Sequence, residues 1–395
     1  MIEIQIFLKQ GKEQSVKRFH PWIFSGAIAR IKGEPKEGDV AEVFAADGSF
    51  LAIGHWSPGS IAVRILSFER CIPDRSFFKQ KIISAYQYRL SIGLANNPST
   101  NVFRLIHGEG DGLPGLIIDI YGNVAVMQAH TAGFWHVRQI LAEIVLEVMK
   151  GLVVSVYDKS EATLPFMANL GAENGYLGGI QPDNETVVTE NGYKFKVNWQ
   201  TGQKTGFFVD QRENRLLLSE YSAGRTVLNM FGYTGGFSVY AMKNAATVHT
   251  VDSSPIATAL ADENARLNFG DDPRHKAITA DAFSYLQDMG QDYDLIVLDP
   301  PAFAKHQKVL NNALQGYRRI NAIALKKIKP GGLLFTFSCS QAVSREDFRR
   351  TLFVAAANSG RVVRILHQMS QPPDHPVSIY HPESEYLKGL VLHVE

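Results

Sequence analysis

The sequence predicts an α/β protein: a doubly wound parallel sheet in the C-terminal half, preceded by a small β domain and a central α+β domain. Three observations predict it. From about Asn191 onward, short apolar runs alternate with segments of helical period, the pattern of strands and crossover helices. One of those runs, Leu295 to Leu298, is apolar throughout and stops at Asp299-Pro300-Pro301. That suits a strand covered on both faces at the point where the chain leaves the sheet, because prolines cannot donate to a ladder. Before about residue 72 the runs are short, alternate with period two and are joined by turn residues.

The first domain is expected over residues 1–72. Ile2 to Leu8 alternates, and Val40 to Phe44 is a second strand. Ala46-Asp47-Gly48 supplies a hairpin-type turn before Phe50 to Ile53, and Ile61 to Leu66 follows Ser57-Pro58-Gly59. Between them, Lys17 to Gly26 interleaves basic and aromatic residues, a mixture that suits phosphate contact and base stacking. Lys17 and Arg18 are the candidate RNA contacts, whereas Trp22 and Phe24 are expected in the core. This segment and its strands resemble a PUA domain, a small RNA-binding β barrel.

The central domain is expected over residues 73–190. Phe77, Phe78, Ile82, Tyr86 and Leu90 recur at helical spacing, with Lys79, Lys81 and Arg89 facing elsewhere. Gly108 to Gly115 is too glycine-rich for a regular element, and no Lys-Ser/Thr follows it, so it reads as a structural turn. Strands are expected at Leu116 to Ile120, Val124 to Gln128 and Val153 to Tyr157, with a helix from Phe134 to Met149. The third domain, residues 191–395, carries strands at Thr226, Val248, Ala277, Leu295 and Leu333, each followed by a helix, then two closing strands.

Composition narrows the function. With 395 residues, 45% apolar and 20% charged, the chain is long enough for several cores. No apolar run spans a membrane, and the polar start is no signal peptide. Cys71 and Cys339 are the only cysteines, which disfavours a disulfide framework and points to the cytoplasm. The net charge of +1 leaves an RNA partner open, although basic residues cluster before Glu34. No residue pattern is taken as a metal site.

In open α/β sheets, ligands bind beyond the carboxyl ends of the strands. There the sequence places Asn229-Met230-Phe231-Gly232-Tyr233-Thr234-Gly235-Gly236, a strand-to-helix turn whose glycines admit a ligand close to backbone amides. The second strand ends in Asp252-Ser253, where a carboxylate can accept both ribose hydroxyls of an adenosine group. Asp281-Ala282 follows the third strand, placed for an adenine amino group, and Asp299-Pro300 ends the fourth. Asp-Pro-Pro followed by Phe303 resembles the fourth motif of S-adenosylmethionine-dependent methyltransferases acting on nucleic acid bases, which makes Phe303 a candidate RNA contact.

Further motifs sharpen the resemblance. Lys204-Thr205-Gly206-Phe207-Phe208-Val209-Asp210-Gln211-Arg212, the Phe231 to Phe237 turn, Asp299-Pro300-Pro301-Ala302-Phe303, Phe337-Ser338-Cys339-Ser340, His20 to Gly26 and the Gly108 to Gly115 loop span the chain. Together they resemble the RlmI-type family of large-subunit (23S) ribosomal RNA cytosine-C5 methyltransferases. The resemblance implies a Rossmann-like class I methyltransferase domain, S-adenosylmethionine as cofactor, ribosomal RNA as substrate and a homodimer. It also implies that Lys204, Phe207, Phe208, Asp210, Gln211 and Arg212 close over the methionine end of the cofactor. Arg212 or Lys204 could pair its carboxylate, and Asp210 could equally begin a helix cap.

Cys339 is the candidate nucleophile. It ends the strand after Asp-Pro-Pro, and adjacent strands lie about 4.8 Å apart, so Cys339 and Asp299 would flank one pocket. Cytosine C5 is a poor nucleophile until a thiolate adds at C6. Asp299 would contact N3 or N4 as that occurs. A purine N-methyltransferase, the main rival, needs no cysteine; a non-catalytic RNA-binding protein needs no cofactor set. Cys71 reads as structural. No residue identifies itself as the base for the C5 proton, and His375 reads as a structural loop histidine.

Overall fold

Alternating apolar residues give the first strands, β1 (Ile4–Leu8), β2 (Trp22–Phe24), β3 (Ile28–Lys32), β4 (Val40–Phe44), β5 (Phe50–Trp56) and β6 (Ile61–Ser67), with a short helix α1 (Gln14–Lys17). The computed structural model describes residues 2–165, 168–182, 185–290, 292–303 and 309–395. Among these, the first six strands form one sheet of order β2-β6-β5-β4-β1-β3. Its interior includes Ile6, Leu8, Ala41, Val43, Ala52, Val63 and Ile65, inward residues of β1, β4, β5 and β6. The sequence reading passed over β2 and β3. Phe24 lies on β2, an edge strand, and is 50% exposed rather than in the core.

The chain continues through α2 (Arg75–Ser91), β7 (Val102–His107), β8 (Leu116–Tyr121), β9 (Val124–Ala129), α3 (Ala132–Val148), β10 (Ser155–Asp158) and β11 (Gly175–Gly179). These strands form a sheet of order β11-β10-β9-β8-β7. Asp74 caps α2 by accepting from the Phe77 amide at 3.0 Å. One side chain of α2 departs from expectation: Arg89 is fully buried. Its guanidinium grips both carboxylate oxygens of Asp111 and the Asp374 carbonyl, so the charge is paired inside rather than hydrated outside. Asp111 belongs to the Gly108 to Gly115 loop, whose residues Gly108–Asp111 form a short 3-10 helix where the sequence reading expected no regular element. A Cβ at Gly110 would lie 1.9 Å from the Pro376 carbonyl oxygen, so only glycine fits there.

After a hairpin of β12 (Glu185–Glu190) and β13 (Tyr193–Asn198), strands and helices alternate. They are α4 (Arg212–Tyr221), β14 (Thr226–Met230), α5 (Gly236–Met242), β15 (Thr247–Asp252), α6 (Pro255–Phe269), β16 (His275–Thr279) and α7 (Ala282–Asp288). Then follow β17 (Leu295–Leu298), α8 (Leu310–Lys327), β18 (Gly332–Ser338), α9 (Arg345–Ser359), β19 (Val363–Ser370) and β20 (Lys388–Val394). Among the described residues they form a seven-stranded sheet of order β16-β15-β14-β17-β18-β20-β19. β14 to β18 are parallel and β20 runs antiparallel between β18 and β19.

The apolar run at β17 is explained by its two covered faces. Ile296 and Leu298 pack with Tyr317 and Ile320 of α8, while Leu295 and Val297 pack with Phe237 and Phe337. The chain divides into two compact units: Met1–Thr189 with Val197–Val209 and Pro373–Ser384, and Glu190–Lys196 with Asp210–Pro372 and Glu385–Glu395. The seven-stranded sheet lies in the second. Among the described residues, no helix is long and apolar enough to cross a membrane.

Candidate active site

Strand order reverses at β14, which has β15 on one side and β17 on the other. The crossovers leave in opposite directions there and open a crevice at the carboxyl ends. The turn after β14 is tightly built. A Cβ on Gly232 would lie 2.3 Å from Thr250 Cγ2, so backbone alone fits. Phe231 and Tyr233 on either side adopt left-handed φ of 57° and 41°, uncommon for non-glycine residues and concentrated at ligand-binding turns. Gly235 has φ 79°, and a Cβ there would lie 3.1 Å from Ala261 Cα; α5 starts at the next residue, Gly236. The Thr234 carbonyl accepts from Asn264 Nδ2 at 2.8 Å, which ties the turn to α6.

Asp252 ends β15 beside this turn. Its Oδ2 accepts from the Tyr233 amide at 3.0 Å and its Oδ1 from the Ser254 amide at 2.9 Å. Each oxygen keeps a further lone pair, so the carboxylate is aimed and still able to accept hydroxyl groups. Ser253 is exposed. Asp281 caps α7, accepting at Oδ1 from the Ser284 amide (2.9 Å) and hydroxyl (3.1 Å), which hold its carboxyl below the usual carboxylate range. Ala282 behind it is buried.

The predicted 204–212 run is divided between the units. In the first, Lys204 is exposed with φ 53°, and Phe207 is buried, its amide and carbonyl both meeting the Tyr121 hydroxyl at 3.2 Å. In the second, Asp210 and Gln211 lie in the turn before α4 and approach Asp299. Gln211 Nε2 donates to Asp299 Oδ2 at 3.1 Å, and its Oε1 accepts from Asn214 Nδ2 at 2.6 Å, which fixes the amide's orientation. Asp210 is not a helix cap. α4 begins only at Arg212, and Asp210 Oδ2 accepts from the Tyr386 hydroxyl at 2.7 Å. Arg212 is buried, its Nε donating to Glu213 at 3.2 Å.

Asp299 ends β17. Burial, reinforced by the neighbouring Asp210 carboxylate, pushes its carboxyl up to about 7 despite the Gln211 hydrogen bond and the Arg215 charge. One strand away, Cys339 follows β18 and is half-buried; its thiol donates to the Pro300 carbonyl at 3.9 Å. Cys339 thus meets the Asp-Pro-Pro turn at Pro300, where the sequence reading expected it to flank a pocket with Asp299. Phe303 lies over Tyr317, with ring centroids 4.6 Å apart.

Three neighbours escaped the sequence reading. Tyr317 is buried in α8, and burial pushes its phenol up to about 12, with Cys339 and Asp299 adding to that; it stays protonated at neutral pH. Tyr386 lies just before β20, and Lys388 opens it. His375 lies in the first unit, buried beside Asp374 and 5.0 Å from the His107 ring. Lys17 and Arg18 are exposed at the end of α1.

Comparison with known proteins agrees with this geometry. Residues 171–390 match the S-adenosylmethionine-dependent methyltransferase family, and residues 6–68 match the PUA-like domain family. Ribosomal RNA large subunit methyltransferase I of Shewanella amazonensis is 40% identical over 400 residues, covering 100% of both chains. The Aeromonas salmonicida protein of the same name is 38% identical, covering 99% of each. The chain belongs to this methyltransferase family.

The fold of the family member extends further, to a solved Streptococcus mutans chain described as a SAM-dependent methyltransferase (TM-score 0.84, 22% identity, 100% of both chains). It extends also to SMU.776 in complex with SAH (TM-score 0.85, 23% identity, 100% of both chains). The architecture is thus the expected PUA-like domain joined to an α/β methyltransferase domain, and S-adenosylmethionine is the cofactor. The crevice fits it: Gly232 leaves room only for backbone, Asp252 keeps acceptor capacity, and the buried Oδ1 atoms of Asn229 and Asp210 have no partner among the described residues.

Proposed function

We propose that this methyltransferase acts on C5 of a cytosine in large-subunit (23S) ribosomal RNA, through a covalent bond between Cys339 and C6. The observation that carries the reading is Cys339 itself, half-buried at the end of β18 with its thiol on the Pro300 carbonyl, one strand from Asp299. A purine N-methyltransferase has no use for a thiol there. The names of the relatives supply the RNA class.

When bound, S-adenosylmethionine supplies an electrophilic methyl group. Gly232 and its neighbours would take its backbone-facing side, Asp252 its ribose hydroxyls, and Asp281 and Ala282 its adenine. Phe231, Tyr233, Thr234, Gly235, Ser253 and Pro300 would line the same crevice. Asp210, Gln211 and Arg212 would hold its methionine end. Cys339 Sγ adds to cytosine C6, and the electron pair displaced from the ring is met by a proton at N3. Asp299, held neutral to about pH 7, is suited to donate that proton. C5 is then nucleophilic toward the methyl group. After methylation the C5 proton leaves to a base, the C6–S bond breaks, and N3 returns its proton to Asp299. Tyr317 stays protonated and is no such base.

Lys17 and Arg18 would meet RNA phosphates, and Phe303 the target base. The reading places the protein in the cytoplasm as a homodimer, for which sedimentation is the measurement. Cys339→Ala tests the chemistry: methylation of large-subunit RNA should be lost while cofactor affinity and fold are kept. Full activity in that variant would favour the purine reaction.

A further inference from the structure

Lys388 opens β20 opposite Ser338 of β18. It is only 3% exposed, and its Nζ donates to the carbonyls of Ser340 and Val343, each at 2.6 Å. Those two carbonyls belong to the turn that carries Cys339 from β18 toward α9. A buried ammonium is costly unless an opposite charge stands near it. Hydrogen bonds to two neutral carbonyls do not supply one.

The charged and titratable groups facing Nζ are Cys339 at the end of β18, Arg345 from α9 and Glu385 from the segment before β20. Arg345 and Glu385 are already committed to each other, with Nε on Oε1 at 2.6 Å. Cys339 is therefore the partner left for the ammonium. The thiol also meets the Pro300 carbonyl after β17 and the Tyr317 phenol of α8. Burial lowers the ammonium to about 8 while Cys339 draws it back up, so it is still mostly charged at pH 7.

We propose that Lys388 is the positioning residue of Cys339, anchoring its turn through Ser340 and Val343 and providing the buried counter-charge that keeps the thiolate available near neutral pH. The inference rests on the reading of Cys339 as nucleophile, and it deepens that reading. No atom changes hands in the resting pair beyond the thiol proton, which leaves to solvent.

The test is the pH dependence of iodoacetamide alkylation at Cys339 in the full chain, followed by peptide mass spectrometry so that Cys71 is scored separately. Lys388→Met should move the inflection up by roughly one unit, the low end for losing a close opposite charge. At pH 7 that slows alkylation about tenfold, because only the thiolate reacts. Lys388→Arg, which keeps the charge, should leave most of the inflection in place. An unmoved inflection in Lys388→Met that still binds S-adenosylmethionine overturns the proposal.

Should Lys388→Met fail to fold, the reciprocal measurement decides. Linkage requires Cys339→Ala to lower the pKa of Lys388 by a matching amount, read from the titration of its Cε resonance in 13C-lysine-labelled protein. An unchanged Lys388 titration overturns the pairing. Methylation that survives Cys339→Ala would defeat the nucleophile reading instead, and both titrations would still report on the pair.

Discussion

Replacing Asp299 by Asn removes a proton that the folded chain holds unusually tightly. Its carboxyl titrates at about 7 in the fold against 3.8 as the ordinary value. That difference of about 3 units corresponds to an upper limit of about 4 kcal/mol at 1.36 kcal/mol per unit. The side chain keeps a partial opening to the crevice even though protein atoms surround the carboxyl, so roughly half of that, about 2 kcal/mol, is expected. The sign follows from proton counting. Between about pH 4 and pH 7 the unfolded carboxyl is ionised while the folded one stays protonated, so the folded state binds more protons and stability falls as pH rises. Below that window the contribution is fully present; above it the cost of the buried charge is complete.

Asn keeps the shape and cannot ionise, so Asp299→Asn should lose this slope. Denaturant midpoints at pH 4.5 and 7.5, followed by one probe within the second unit, should converge in the variant by about 2 kcal/mol relative to the parent. Methylation should fall too, because an amide cannot pass a proton to N3, and the parent's kcat/KM should decline above about pH 7 as Asp299 ionises. Parallel pH slopes for parent and variant, or a carboxyl that titrates near 3.8, would refute the reasoning.

Two further outcomes concern binding. Asp252→Ala removes the acceptor aimed by the Tyr233 and Ser254 amides and should weaken S-adenosylmethionine binding by roughly 1–3 kcal/mol in calorimetry; unchanged affinity in a folded variant would place the ribose elsewhere. Substituting Lys17 and Arg18 together by Ala should leave cofactor binding alone and reduce the salt slope of RNA affinity by about two units, one per phosphate contact; an untouched slope would move the RNA surface off this segment.

The parts of the fold that were legible in the sequence are those with local causes. β17 announces itself because both its faces are covered and prolines end it. The turn after β14 does so because Gly232 and Gly235 stand where side chains cannot. The remainder depends on partners distant in sequence. Arg89 reads as a surface charge until Asp111 and the Asp374 carbonyl close on it, and no helical periodicity encodes that. β2 is three residues long, too short for its alternation to show, and Phe24 faces out because it alternates with the buried Ile23. In the site, strand order brought Asp299 and Cys339 together on paper. The approach of Asp210 to Asp299 depends on the turn before α4, and that of Lys388 to the Cys339 turn on β20 pairing antiparallel with β18.

The most direct measurement of the central claim uses RNA with 5-fluorocytosine at the target position. Fluorine cannot leave C5 as a cation, so the C6–S bond persists after methyl transfer. The account predicts a denaturant-resistant protein–RNA adduct that requires S-adenosylmethionine, maps to the Cys339 peptide and is absent from Cys339→Ala. No adduct from an enzyme that methylates the unmodified RNA, or an adduct mapped to another residue, would contradict it.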